Sequence, residues 1–161
     1  MKQLFTLFCL AGALSLSAQT AFPDVSIKDL NGQNVQIKDY IEEGKITVIS
    51  FWATWCSPCK KELDNIMEIY PDWNEIFGVN VIAISVDNAR SQAKIKPMVD
   101  TKGWEYTILH DPNQVMMQAL NFQSVPQTFL IDQSGNIVYE HMGYLPGDEY
   151  DLEKHIQELL K

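Results

Sequence analysis

Ile46-Thr47-Val48-Ile49-Ser50-Phe51-Trp52-Ala53-Thr54-Trp55-Cys56-Ser57-Pro58-Cys59-Lys60-Lys61-Glu62 begins as a β-branched, largely apolar run and turns helical in its periodicity from Lys60 onward. The two cysteines therefore sit at a strand-to-helix turn. Cys56 falls in the first turn of that helix, where unpaired backbone N–H groups and the positive end of the helix dipole favour a thiolate. That makes it the nucleophile of the pair. Cys59, three residues on, shares its helical face and can close a disulfide, whose Cα separation is typically about 5.5 Å. It is the resolving thiol. Pro58 has no N–H to lose in a first turn whose donors are orphans anyway, and it stiffens the loop holding two sulfurs in register.

Only one other cysteine exists, Cys9, and it lies in a segment that reads as a secretory leader over residues 1–18. Lys2 supplies the positive end, Leu4 to Leu16 the apolar stretch and Ser15-Leu16-Ser17-Ala18 a small-residue exit. Export to the periplasm is expected, with cleavage near Ala18. The apolar stretch is shorter than the roughly 20 residues that span a bilayer; an uncleaved leader, which would leave the protein membrane-associated, is the lesser alternative. Phe8 precedes Cys9 where bacterial lipid attachment wants a small residue. Residues 19–161 remain, about 140 residues, which is one domain with a real core. Twelve basic and 21 acidic residues give a net charge of −9, becoming −10 when Lys2 leaves. That balance argues against nucleic acid or anionic membrane surfaces as partners.

In an oxidising compartment a cysteine pair is ordinarily a structural staple. A staple here would close a loop of about four residues, which restricts the unfolded chain little. Redox work is the stronger reading.

Outward from the motif, Leu30-Asn31-Gly32-Gln33 is a turn between short strands bearing Val25 and Ile27, then Val35 and Ile37, an N-terminal hairpin. Leu63, Ile66, Met67, Tyr70, Trp73, Ile76 and Phe77 follow three-four spacing, with Pro71 expected to kink or restart the helix and Gly78 to end it. Val79 to Val86 reads as a buried strand, Ala89 to Lys102 as a helix disturbed by Pro97, Tyr106 to Leu109 as a strand and Asn113 to Leu120 as helix-rich. Gln127 to Ile131 and Ile137 to His141 form a hairpin around Asp132-Gln133-Ser134-Gly135-Asn136. Leu152, Ile156, Leu159 and Leu160 mark a closing amphipathic helix. Strands alternating with helices, then a hairpin, predict an α/β fold with a mixed central sheet and helices on both faces.

Phe51 to Glu62, followed by Val125-Pro126-Gln127-Thr128-Phe129-Leu130-Ile131-Asp132, resembles the thioredoxin superfamily, and more narrowly its TlpA/ResA-like thiol-disulfide oxidoreductases with a domain of the AhpC/TSA or Redoxin type. The resemblance covers the whole chain after the leader, including the hairpin and an extra strand-helix unit between Val79 and Trp104. It implies a thioredoxin fold and a reductant of disulfides in exported proteins, of the cytochrome c maturation type. A membrane-bound thiol electron donor would recharge it, and the Cys56–Cys59 disulfide would be its redox centre with no bound cofactor. A monomer is expected. Val125-Pro126 would be a cis peptide bond facing the cysteines, the alternative being a trans proline opening a strand. The backbone polar groups of Val125 would then pair with an extended substrate segment. Trp55 would wall the same groove, or is simply an exposed aromatic. Thioredoxin carries a buried aspartate where this chain has Ser50, so the usual proton acceptor for the resolving thiol is missing. Glu62 matches a glutamate associated with the active site in ResA-like proteins and could relay protons; the alternative is a solvated glutamate favoured by the helix N-terminus.

Three rivals remain. A metal site would need a second ligand pair near Cys56 and Cys59, whereas His110, His141 and His155 are scattered; Met98, Met116 and Met117 at helical positions read as core filling rather than copper ligands. A thiol peroxidase of the peroxiredoxin type shares the fold, but it needs a proline ahead of a lone cysteine. A non-catalytic module would use the groove to hold a client without turnover. Ser57-Pro58 puts no charge between the sulfurs, leaving open a potential anywhere from about −270 mV, as in thioredoxin, to about −120 mV, as in strong oxidants.

Overall fold

A computed structural model describes residues 20–161; the leader expected over residues 1–18 lies outside them. Among these residues eight strands form one mixed sheet: β1 (Thr20–Ala21), β2 (Ser26–Asp29), β3 (Asn34–Gln36), β4 (Thr47–Trp52), β5 (Asn80–Ser85), β6 (Thr107–His110), β7 (Gln127–Ile131) and β8 (Asn136–Met142), in the order β1-β8-β7-β4-β5-β6-β2-β3. β4, β5 and β6 run parallel, and β7 lies antiparallel to β4. Parallel neighbours need helical crossovers, and those cover the sheet. β4 and β7 are buried along their whole length. Both faces are therefore filled. On one, Phe51 meets Phe122 and Phe129 at ring-centroid distances of 4.7 and 5.9 Å. On the other, Trp52, one residue on and so pointing the opposite way, meets Trp104 edge-on at 5.0 Å.

Among the described residues four α-helices complete the fold: α1 (Ser57–Phe77), α2 (Ile95–Lys102), α3 (Val115–Ala119) and α4 (Asp148–Glu158). α1 lies against β4, β5 and α4. The N-terminal hairpin forms as expected, Ile27 opposite Val35, and docks on β6. Three expectations are corrected. α1 runs unbroken through Pro71, which is on its exposed side, where water can satisfy the Met67 carbonyl that loses its partner. Ile76, assigned above to the apolar stripe, is 67% exposed. The helix expected from Ala89 begins only at Ile95 after a 3₁₀ turn (Gln92–Lys94), which places Pro97 in its first turn, where a missing N–H costs nothing. Among the described residues no helix is long and apolar enough to cross a membrane.

Candidate active site

β4 delivers the cysteines. After Trp52 the chain turns so that the Cys56 N–H donates to the Ala53 carbonyl at 3.0 Å. Cys56 is the N-cap of α1, one position ahead of the first turn, with extended backbone (φ −88°, ψ 104°). Its Sγ accepts from the Cys59 N–H at 3.2 Å, as a serine or aspartate cap oxygen would. One orphan donor of the helix thus points at the sulfur, and the dipole of a 21-residue helix stands behind it. Cys56 and Cys59 are joined by a disulfide, with Cα atoms 5.4 Å apart. Cys56 is 4% exposed and Cys59 not at all. Of the two, Cys56 alone keeps any exposure.

Val125-Pro126 is a cis peptide bond, and the Val125 carbonyl oxygen lies 3.8 Å from Cys56 Sγ. Pro126 is held from the other side, its carbonyl accepting the Gly143 N–H at 2.9 Å. Trp55, beside the sulfur, is 70% exposed.

Glu62 is buried, which removes the reading of a solvated glutamate. Ser50 on β4 stands directly opposite Thr128 on β7. The Ser50 hydroxyl donates to Glu62 Oε2 at 3.2 Å and the Thr128 hydroxyl to Oε1 at 2.6 Å. Burial pushes the carboxyl up to about 7; the two hydroxyls oppose that shift, and the charges of Asp148 and Glu149 add to it. In a helix a side chain leans toward the N-terminus, so Glu62 leans toward Cys59 one turn earlier.

A model described as the AhpC/TSA family matches residues 18–140. The chain belongs to the AhpC/TSA family. Thiol-disulfide oxidoreductase ResA of Bacillus thuringiensis is 32% identical over 121 residues, covering 75% of this chain and 67% of its own. ResA of Geobacillus kaustophilus is 29% identical over 137 residues, 85% of this chain and 75% of its own. A thioredoxin-like protein from Porphyromonas gingivalis superposes with a TM-score of 0.76 at 42% identity, over 88% of this chain and 93% of that one. The mixed sheet is thus the thioredoxin fold, and this AhpC/TSA chain, with its Cys-x-x-Cys pair, is a thiol-disulfide oxidoreductase of the ResA-like kind.

Several residues around this AhpC/TSA site went unnoticed in the sequence. Asp87, just past β5, is buried and accepts three hydrogen bonds: from the Thr54 N–H at 2.7 Å, the Thr54 hydroxyl at 2.8 Å and the Ser85 hydroxyl at 2.8 Å. It anchors the loop that ends in Cys56. Its own carbonyl meets Nε2 of the buried His110 at 2.6 Å. Hydrogen-bond partners 33 and 66 positions apart leave no local signal; only the strand pattern, aligned across β4 and β7, could have paired Ser50 with Thr128. Met116 is fully buried and Met98 and Met117 pack against the core. Among the described residues no three His, Cys, Asp or Glu side chains gather as a metal site.

Proposed function

We propose that the protein is exported and reduces disulfides in other exported proteins, including clients of cytochrome c maturation. The observation carrying this reading is the asymmetry of the pair: Cys56 caps a helix beside the cis Val125-Pro126 bond and keeps a sliver of exposure, whereas Cys59 has none. The reduced enzyme attacks through the Cys56 thiolate, breaking the client S–S bond and forming a mixed disulfide while the client's second sulfur leaves as a thiolate and takes a proton. Cys59 gives its proton to the Glu62 carboxylate and attacks Cys56 Sγ. The internal disulfide closes, and the client's remaining sulfur departs with the electron pair. Two electrons pass to the client, and a membrane-bound thiol donor restores them. Trp55 and the backbone of Val125 and Pro126 border the place where an extended client segment lies, main chain against main chain. Export rests on the leader pattern of residues 1–18 and on the ResA likeness.

A peroxidase reading finds less support, since the peroxidatic cysteine of that class stands alone whereas Cys56 is bonded to a neighbour three residues away. The direction is tested by the equilibrium reduction potential of the pair, followed through Trp fluorescence in defined thiol-disulfide buffers. A transition at or below about −250 mV is expected; one near −120 mV overturns the reductant direction. Cys59→Ser is expected to hold client on Cys56 as a stable mixed disulfide on non-reducing gels, and Cys56→Ser to hold none.

A further inference from the structure

A carboxyl that takes the Cys59 proton must lose it again before the next turnover, and each Glu62 oxygen already accepts one hydroxyl, from Ser50 and from Thr128. The sulfur side offers no exit while a client sits on Cys56. On the other side, toward Ile66 one turn further along α1, Glu62 borders a cavity of about 10 Å³ between α1, β7, β8 and α4. Thr128, His141, Asp148 and Glu149 supply its polar lining. That is room for about one water, with the two to four polar partners a buried water needs. At its outer end His141 and Asp148 reach solvent, with side chains 36% and 26% exposed and His141 Nε2 3.1 Å from Asp148 Oδ2.

Resting on the relay role given to Glu62 above, we infer that this cavity holds the water through which Glu62 exchanges its proton with solvent, with His141 as the positioned port. The carboxylate of Asp148 accepts only, so it draws the imidazole hydrogen to Nε2 and leaves Nδ1 as the acceptor of the neutral ring. A proton leaving Glu62 passes to the water and a proton of the water passes to the imidazole, which sheds it to buffer; no electrons move. Imidazole is the side chain that loads and unloads a proton readily near neutrality. Asp148 and Glu149 of α4, together with Tyr106, stand near Glu62. Tyr139 of β8, and Asp148, Asp151 and His155 of α4, surround His141.

The test is the rate of repeated turnover, in which Cys59 displaces a chromophoric aromatic thiol from Cys56 in every cycle and a saturating dithiol restores the pair, followed in weak and in imidazole buffer. His141→Gln keeps a donor for Asp148 but cannot carry a proton, and His141→Ala removes the side chain. Both are expected to slow release about tenfold or more in weak buffer and to recover as imidazole is added. Glu62→Gln is expected to be slow with no recovery. A slow Glu62→Gln beside His141 variants at full speed, or slow without imidazole rescue, overturns the port and leaves the relay standing. A Glu62→Gln as fast as the parent overturns the relay, and the port with it.

Discussion

Glu62 and Asp87 are two buried carboxyls with different surroundings. Glu62 receives two hydroxyls and little else, and burial lifts it to about 7. A carboxyl whose folded value exceeds its unfolded value of 4.5 binds its proton more tightly in the fold. Between pH about 4.5 and about 7 the unfolded chain has released that proton while the fold retains it, so stability falls as pH rises through this window and levels off above it. The loss is on the order of 3 kcal/mol. Glu62→Gln should flatten this part of the curve and exceed the parent in stability at pH 8, read as the difference between the two urea-unfolding profiles; parallel profiles would refute it. Asp87 instead holds Thr54 and Ser85 in place. Asp87→Ala strands those donors and should cost about 2–4 kcal/mol, seen as a lowered urea midpoint with an unchanged slope. The cysteine pair was legible because its chemistry is local to four residues. Glu62 was legible only as a position along α1, since its burial depends on Ser50 and Thr128 from two strands. His141 was taken as a scattered histidine because nothing near it in sequence points to the Glu62 cavity.

α1 carries the site, and its two ends are made by different devices. A sulfur caps the start, and Gly78 stops the other end in left-handed backbone at φ 64°, its N–H bonded to the Asn74 carbonyl. A Cβ at Gly78 would meet nothing within 4 Å. Gly78→Ala should therefore cost only the backbone term, about 1 kcal/mol, and Gly78→Asn less, both measured by thermal unfolding; a loss well above that would mean the helix end is tied to something more. Gly78 was readable from sequence as a stop. Pro71 does not restart α1, its ring lying on the exposed side of the helix. The side toward α4 stays intact, where Trp73 Nε1 donates to Glu153 at 3.1 Å. Pro97 was misread because the start of α2 lies six residues later than the sequence pattern implied, with no side-chain cap to mark it. β4, β5 and the β7–β8 hairpin matched their patterns to within a residue or two, as long apolar runs between clear turns do.

For the whole molecule, a net charge of −9 predicts how charged clients of the proposed activity would be steered. Exchange with a cationic disulfide peptide should slow several-fold between about 0.01 M and about 0.15 M salt, whereas exchange with an uncharged one should not change; equal slopes for the two would remove electrostatic steering. The sheet's centre was legible because a strand, a crossover helix and another strand force parallel neighbours. Its flanks were not. Nothing in the N-terminal hairpin indicates that it docks on β6, and a two-residue β1 is too short to leave a pattern. Those flanks have a consequence for solubility. Any open sheet offers two rows of unpaired N–H and C=O groups, on which a foreign strand can grow. Here one row is made by the two residues of β1 and then by β8 beyond Ile137, and the other by the three of β3, with Asn34 and Gln36 exposed. Behind β1 lies β8, seven residues long, with Val138 and Met142 on its exposed side. Thr20 and Ala21 pair with Ile137 and Asn136, so among the described residues they cover one end of β8, and the row from Val138 to Met142 is where a foreign strand would add.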